Sequence, residues 1–485
     1  MSARQIDTPT LHDMLVIEND PAVLGFRCAV TDLPLWPQIR VALLRMMMSD
    51  LLYGVQLTGR SNTTPSRPRA IGTLTRSVLR NTVQRWRGQE RARICITCDG
   101  VADQMVQGRW FNRLTDYFID SRPDESLAIA DHFEWRWPFP RRHERVLLHA
   151  PWQAMNAMRG RLSVHASHER RAQELVELIC ERAFSHLRWS LDSARKAQLA
   201  TMLARKTASM PWQFDAYAAL LRRIRPAVLM VGGGCYGPAG SLIAAAKTLG
   251  INTAEYQHGS VSAGHDAYNF APVIRESENY RRTLPDHFLG YGAWWNEQIN
   301  APVRKWAIGN PHRTARMQAL APVATSPNDL LVLSDGIEFD LYLNLARELR
   351  AAATRMDLRV ILRPHPLERT RALALTSAET GGVCIDQNAD LYASLRTAHA
   401  VVSEVSTGLF EAVGITERIF VWDTPKARFG HPKHPFQVFH STSHLLELLS
   451  QDKGGRLPRI VATEAIWADD WSNRYSQFLA EQGAL

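Results

Sequence analysis

The feature that most constrains this chain is a rhythm that begins near residue 330. Five short apolar runs, LLVLS, RVILR, GVCI, AVVS and RIFVW, follow one another over about ninety residues, each bounded by helical or turn signals. Unbroken apolar runs suit strands buried on both faces, and strands alternating with helices pair in parallel through crossovers rather than as hairpins. The segment therefore predicts a doubly wound parallel sheet, which gathers its ligand at the carboxyl ends of its strands. A weaker version of the rhythm precedes it, with candidate strands at 93–98, 126–130, 145–149, 226–231, 251–256 and 287–291. A long, charged helical stretch at 163–225 interrupts it and reads as an inserted helical pair.

The expected fold is α/β, with two Rossmann-like doubly wound domains facing across a cleft, an N-terminal helical extension and a helical insertion. The expected divisions are 1–90 (extension and basic linker or helix), 91–310 (first domain, carrying the insertion) and 311–485 (second domain). A chain of 485 residues, 45% hydrophobic and 22% charged, is long enough for two cores, and this composition excludes a disordered, collagen-like or coiled-coil chain. No run of about eighteen apolar residues occurs, and the opening MSARQIDTPTLHDMLVIEND lacks the form of a signal peptide, so a cytoplasmic location is expected. Six cysteines do not make a disulfide framework over this length. The close pair Cys95 and Cys98 lacks a second ligand pair for zinc; a redox role and buried strand thiols are the two readings, the second being the commoner use of such residues.

The formal charge of +9 is concentrated in one place, because residues 60–93 hold nine arginines and the single acid Glu90. That argues against a nucleic-acid surface spread over the protein and for one local basic element. Its first part, SNTTPSRPRA, reads as a linker. Its second, LTRSVLRNTVQRWR, puts Leu74, Val78, Leu79, Val83 and Trp86 on one broad helical face. Such a helix suits either an anionic membrane surface or a place packed on its own domain. Aromatic residues for stacking on single strands are nearly absent, so no nucleic-acid partner is expected.

The strand ends of the second domain hold Ser334-Asp335-Gly336, Pro364-His365-Pro366 and Glu404-Val405-Ser406-Thr407-Gly408. A small loop with Gly336 lets backbone N–H groups approach a phosphate, and His365 can donate to a phosphate oxygen, with Pro366 suited to the first turn of the next helix. Ser406 and Thr407 fit the opening of the helix STGLFEAVG, where an anion is favoured, and Glu411, four residues on, can accept two ribose hydroxyls. Singly, each residue has a plainer reading as a cap, a turn or a solvated carboxylate; together they point to a nucleotide phosphate site. In the first domain, Glu255-Tyr256-Gln257-His258-Gly259 places an imidazole at a strand end, suited to take a proton from a hydroxyl, with His265 and Asp266 able to orient it or to bind an acceptor. Alone, His258 reads equally well as a hydrogen-bonded loop histidine. The rival motif is VLMVGGGCYGPAG, in which Gly232, Gly234 and Gly237 satisfy a dinucleotide fingerprint and Glu255 stands where a ribose-binding acid would.

The Gln-His-Gly at 257–259, the Arg-Pro-His-Pro at 363–366 and the Ser-Thr-Gly-Leu-Phe-Glu at 406–411 resemble a family of bacterial capsule and envelope polysaccharide proteins with the GT-B glycosyltransferase architecture. The resemblance covers about residues 226–425, with weaker similarity in LPLWPQIR near the start. The family is similar to teichoic-acid polyol-phosphate transferases and, more distantly, to bacterial sialyl- and Kdo-transferases. It implies that His365, Ser406 and Thr407 hold the donor phosphate and that Glu411 binds the donor ribose, while Ser334, Gly336 and Pro366 are donor-binding candidates from their place at the same strand ends. It implies a base role for His258, while Asp266 as a further catalytic residue and Gln257, Gly259 and His265 as acceptor-binding residues are candidates from their place around the same strand end. Sialyltransferases carry an acidic-acidic-glycine motif in their first domain, whereas Ser334-Asp335-Gly336 lies in the second, so no base role passes to Asp335.

The resemblance thus implies transfer of a sugar from a nucleotide-activated donor, CMP- or UDP-linked, to a lipid-linked or growing glycan. Neither a metal nor another cofactor is expected. The enzyme is expected at the inner face of the plasma membrane if residues 60–93 bind lipid. The alternatives are a CDP-polyol phosphotransferase, an NAD-linked enzyme built on 226–256, and a non-catalytic assembly or export partner.

Overall fold

The computed structural model describes residues 8–54, 66–319, 326–353, 356–451 and 462–485. Arg60 and residues 61–65 of the expected linker at 61–70 lie outside the described residues. The described strands of the first half are β1 (Ile94–Cys98), β2 (Asp103–Val106), β3 (Arg109–Asn112), β4 (Ser126–Ala130), β5 (Val146–Leu148), β6 (Val228–Val231), β7 (Asn252–Tyr256), β8 (His287–Gly290) and β9 (Arg304–Ala307). Those of the second half are β10 (Ser326–Leu333), β11 (Arg359–Arg363), β12 (Cys384–Ile385), β13 (Ala398–Ser403), β14 (Arg418–Trp422) and β15 (Gln437–Phe439).

Two parallel sheets result, a seven-stranded one in the order β5-β4-β1-β6-β7-β8-β9 and a six-stranded one in the order β12-β11-β10-β13-β14-β15. The chain therefore has the two doubly wound α/β domains expected. Strand order reverses between β1 and β6 in the first sheet and between β10 and β13 in the second. Those are the switch points where crevices open in such sheets.

The alternation along β1 shows why these runs become central strands. Ile94, Ile96 and Cys98 pack on one side of the sheet with Tyr475, Phe478 and Leu479, while Cys95 packs on the other with Leu220, Leu221 and Ile224. Cys95 and Cys98 thus lie on opposite faces, which rules out a shared metal ion. Burial raises both thiols, Cys95 to about 12, consistent with unreactive core residues.

The expected insertion is the helix pair Ala166–Leu187 and Ser193–Ile224, packed against each other. The C-terminal helix Trp471–Glu481 does not stay with the second sheet, where a boundary at residue 311 leaves it. Its Tyr475, Phe478 and Leu479 close the first domain's core. The N-terminal extension packs into the body of the protein. Leu11, Trp36, Ile39 and Leu43 share one core with Phe270, Tyr280 and Trp295. Within that core the Glu18 carboxylate accepts from the Trp36 indole N–H at 2.7 Å and the Arg40 Nε at 2.6 Å. Arg40 also donates to the carbonyls of Asp266 and Asn269. The extension therefore fixes the loop that follows β7.

Candidate functional site

The loops after β7 and β14 meet, joining the carboxyl ends of the two sheets. The Ser262 hydroxyl donates to the Gly430 carbonyl at 2.5 Å, and a Cβ at Gly264 would collide with the Phe429 carbonyl. His258 stands at the exit of β7. The Tyr236 hydroxyl lies 3.4 Å from His258 Nε2 and 3.2 Å from His265 Nε2, so it bridges the two imidazoles. His265 Nδ1 in turn lies 3.2 Å from Asp266 Oδ1, completing a chain from Asp266 to His258. Burial, helped by the charges of His265, Arg113 and Arg45, pushes His258 down to about 4, which keeps it neutral at ordinary pH.

Asp266 is buried and paired with His265 and Arg45. Although burial pushes its carboxyl up, the hydrogen bond from His265 and the charge of Arg45 hold it well below the usual range. Arg45 Nε lies 3.0 Å from its Oδ2. His265 is likewise committed to Tyr236 and Asp266 rather than turned to an acceptor. Gln257 departs from the expected acceptor role too. It is buried, its Oε1 accepts from the Tyr291 N–H at 2.7 Å and its Nε2 donates to the Gly259 carbonyl at 2.8 Å, tying β7 to the end of β8. Gly259 borders open space.

In the second domain the expected residues do converge on one rim, because β10, β11 and β13 are adjacent. Their roles divide. Ser334 is buried, donates to Glu368 and accepts the His365 N–H at 2.7 Å, so it holds the His365 backbone instead of a phosphate. Gly336 has φ +84°, and a Cβ there would meet His365 Nδ1 at 2.4 Å, so glycine is needed to seat the imidazole. His365 Nδ1 accepts the Leu367 N–H at 3.3 Å, which puts the ring proton on Nε2, where it meets no described acceptor. Pro366 lies exposed in a turn, and the helix that follows starts only at Arg369, so its expected place in a first helical turn is not observed.

The expected helix at STGLFEAVG is a single turn, Gly408–Glu411, because Gly414 takes φ +83° and ends the segment. This leaves little helix dipole. Ser406 Oγ accepts the Gly408 N–H at 3.2 Å and keeps its own proton to donate, and Thr407 stands half-buried beside it. Glu411 Oε2 accepts from the Tyr392 hydroxyl at 2.5 Å and faces Arg313 Nε at 3.8 Å; burial raises its pKa. Its other oxygen has no described partner.

Three further features of the site had been given no role from the sequence. Arg113 is exposed, and its charge acts on His258, Tyr291, His312 and Glu411, linking both sides of the cleft. It follows the hairpin β2–β3, whose turn at Gln107-Gly108 is a short polar interruption with no strand signal of its own. Asp335, Glu338 and Glu404 offer oxygens within 4.8 Å of one another, the one such cluster among the described residues. The Lys426 ammonium pairs with Glu338 and lies 3.4 Å from Glu404, so a cation already stands in this cluster.

The glycine fingerprint is used differently from a dinucleotide loop. Cβ atoms at Gly232 and Gly234 would meet the Tyr256 hydroxyl at 2.6 Å and Val231 at 2.9 Å. Gly237, at φ +100°, presses on the Pro37 carbonyl of the extension. Glu255 is fully buried and accepts from the Cys235 N–H at 2.8 Å and the Tyr268 hydroxyl at 2.6 Å. Its carboxylate is spent inside the domain, which removes the ribose ligand that an NAD-linked reading requires.

His258, His312 and His431 are all pushed down to about 4, in each case chiefly by burial. The unfolded chain protonates them near pH 6.5. Between about pH 6.5 and pH 4 the unfolded state binds protons that the native state does not, so stability is lost as pH falls through that window. The urea midpoint is expected to drop between about pH 7 and pH 5, and a constant midpoint would contradict the assignment.

No family model matches the chain, and none of the curated proteins does. Among solved structures, the chain is similar to the glycotransferase of kitacinnamycin, at 10% identity over 81% of this chain and 99% of that one, with a TM-score of 0.45. It is similar to the UDP-GlcNAc 2-epimerase of Methanocaldococcus jannaschii at 11% identity, covering 80% and 99% of the two chains, with a TM-score of 0.43. The Neisseria meningitidis UDP-GlcNAc 2-epimerase bound to UDP-GlcNAc matches at 10% identity over 80% of this chain and 100% of that one, with a TM-score of 0.42.

Proposed function

We propose that this protein is a glycosyltransferase, moving a sugar from a nucleotide-activated donor to a hydroxyl of a cell-envelope glycan. The observation that supports this reading most is the meeting of the loops after β7 and β14, where the Ser262 hydroxyl donates to the Gly430 carbonyl at 2.5 Å and sets the His258 end of the first sheet against the second domain.

In this reading His258 takes the proton of the acceptor hydroxyl as its oxygen bonds to the anomeric carbon. The bond from that carbon to the phosphate oxygen breaks, and the nucleotide leaves with the electron pair. His365 Nε2–H and the Ser406 and Thr407 hydroxyls donate to the phosphate as its charge grows. The free oxygen of Glu411 accepts from the ribose. A bound donor phosphate offsets the charge of Arg113, and this raises the affinity of His258 for its proton when the proton is transferred.

The test is incubation of the purified protein with CMP-, UDP-, GDP- and CDP-linked sugars and an extract of lipid-linked glycans. Transfer adds one sugar mass to the acceptor and releases the nucleotide. Isomerisation of the sugar on its nucleotide with no acceptor consumed overturns transfer, as does a product joined through a polyol phosphate. Because Lys426 already neutralises part of the acidic cluster, EDTA is expected to leave turnover unchanged. Loss of activity restored by magnesium or manganese would assign Asp335, Glu338 and Glu404 to a metal instead.

A further inference from the structure

The basic helix Arg67–Trp86 is mounted with its polar face inward. Thr73, Ser77 and Gln84 are the buried residues of its middle and end, and each is held by hydrogen bonds rather than by apolar packing. The Ser77 hydroxyl lies 3.1 Å from His132 Nε2, Asn81 exchanges two hydrogen bonds with the Leu148 backbone at 2.8 and 2.9 Å, and Gln84 Nε2 donates to the Glu144 carbonyl. At 100° per residue these side chains lie opposite Ile71, Leu79 and Trp86. The apolar face expected to seek the core therefore looks outward. Ile71 is 64% exposed, Val78 51%, Leu79 62% and Trp86 82%.

The charges around this face have one sign. Arg69, Arg76, Arg85 and Arg87 are exposed, and the sequence holds no acidic residue between Asp50 and Glu90. The neighbouring helix Ala150–Leu162, packed beside the basic helix, adds Met155, Met158 and Leu162, all exposed at a spacing that places them on one side. It also carries Arg159 and Arg161 in its last turn. Behind it, a cavity of about 690 Å³ against the helix Ser193–Ile224 is lined in part by Arg161 and Arg205.

We propose that the exposed faces of these two helices dock on an anionic lipid bilayer, with Ile71, Val78, Leu79, Trp86, Met155 and Met158 entering the headgroup boundary and the arginines meeting lipid phosphates. Charge complementarity selects this occupant. A second copy of the same face would bring arginine against arginine, and a nucleic acid would leave the apolar centre without a partner. Arg93 is not part of the surface, since it donates to the carbonyls of Gly483 and Ala484 at the chain's end.

The test is flotation of the full chain with vesicles of phosphatidylcholine alone and of phosphatidylcholine mixed with phosphatidylglycerol. Binding is expected only to the mixed vesicles and is expected to weaken as salt is raised. The variant Arg69→Gln/Arg85→Gln/Arg87→Gln is expected to bind about a hundredfold more weakly. Leu79→Ser/Trp86→Ser is expected to lose binding to a similar degree, and both variants should keep the far-UV circular dichroism of the parent because the replaced side chains are exposed. Absence of flotation by the parent, or flotation unchanged in both variants, overturns the proposal. So does self-association or oligonucleotide binding that depends on Leu79 and Trp86 while vesicles are ignored. Vesicle binding is read without any sugar donor, so its outcome is separable from that of the transfer reaction.

Discussion

His258→Ala is expected to lower kcat for sugar transfer by about 100- to 10,000-fold, the usual contribution of a positioned general base, while leaving the donor KM nearly unchanged. The imidazole stands at the exit of β7, away from the donor rim, so its loss removes proton transfer without removing a phosphate contact. Tyr236→Phe is expected to cost less, because the ring still packs while the bridge to His265 is lost. The folded state should tolerate His258→Ala, whose side chain makes no contact closer than the 3.4 Å to Tyr236 among its described hydrogen bonds. A variant that retains activity within tenfold of the parent would remove His258 from the reaction. Since the free imidazole stays neutral down to about pH 4, His258 is expected to give kcat/KM no acid limb above that range.

The second large effect concerns stability. Arg40→Ala or Glu18→Ala is expected to destabilise the protein by about 3–5 kcal/mol, because each leaves its partner buried without its counter-ion. Both side chains are essentially inaccessible, and between them they satisfy the Trp36 indole, the Ala271 N–H and the carbonyls of Asp266 and Asn269. A loss of this size is a large part of the stability of an ordinary domain and lowers Tm by roughly 10 °C. The double variant Glu18→Leu/Arg40→Met is expected to recover part of it, since two apolar groups need no partner. Urea unfolding measures all three. A single variant within about 1 kcal/mol of the parent would show that water or a backbone shift compensates the lone charge. Activity should fall as well, because Arg40 anchors the loop that carries His265 and Asp266.

The central strands were legible in the sequence because the part of a strand covered on both faces must be apolar, as Ile94–Ile96, Leu127–Ala130, Leu330–Leu333 and Ala400–Val402 are. The edge strands β9 and β15 were not, since RKWA and QVF are short, half-exposed and mixed in polarity. At the site, residue types in His365, Ser406 and Glu411 pointed to one rim because strand ends follow from strand positions. Ser334 and Gln257 were placed at the site and instead hold backbone, because a polar side chain at a strand end serves either purpose and only its neighbours decide which.

The basic helix separates the two kinds of information most clearly. Its period and its charge are properties of consecutive residues, so the chain alone specified an amphipathic, arginine-rich helix. Which side faces the protein is set by His132, Glu144 and Leu148, some sixty residues away, whose polar groups pair with Ser77, Asn81 and Gln84. In the same way, the sequence determined two wound sheets and a histidine at a strand end. Only the folded chain brought Arg40, Arg45, Tyr236 and Arg113 around that histidine, because buried charges and hydrogen bonds are satisfied by whatever the fold places nearby, at any separation along the chain.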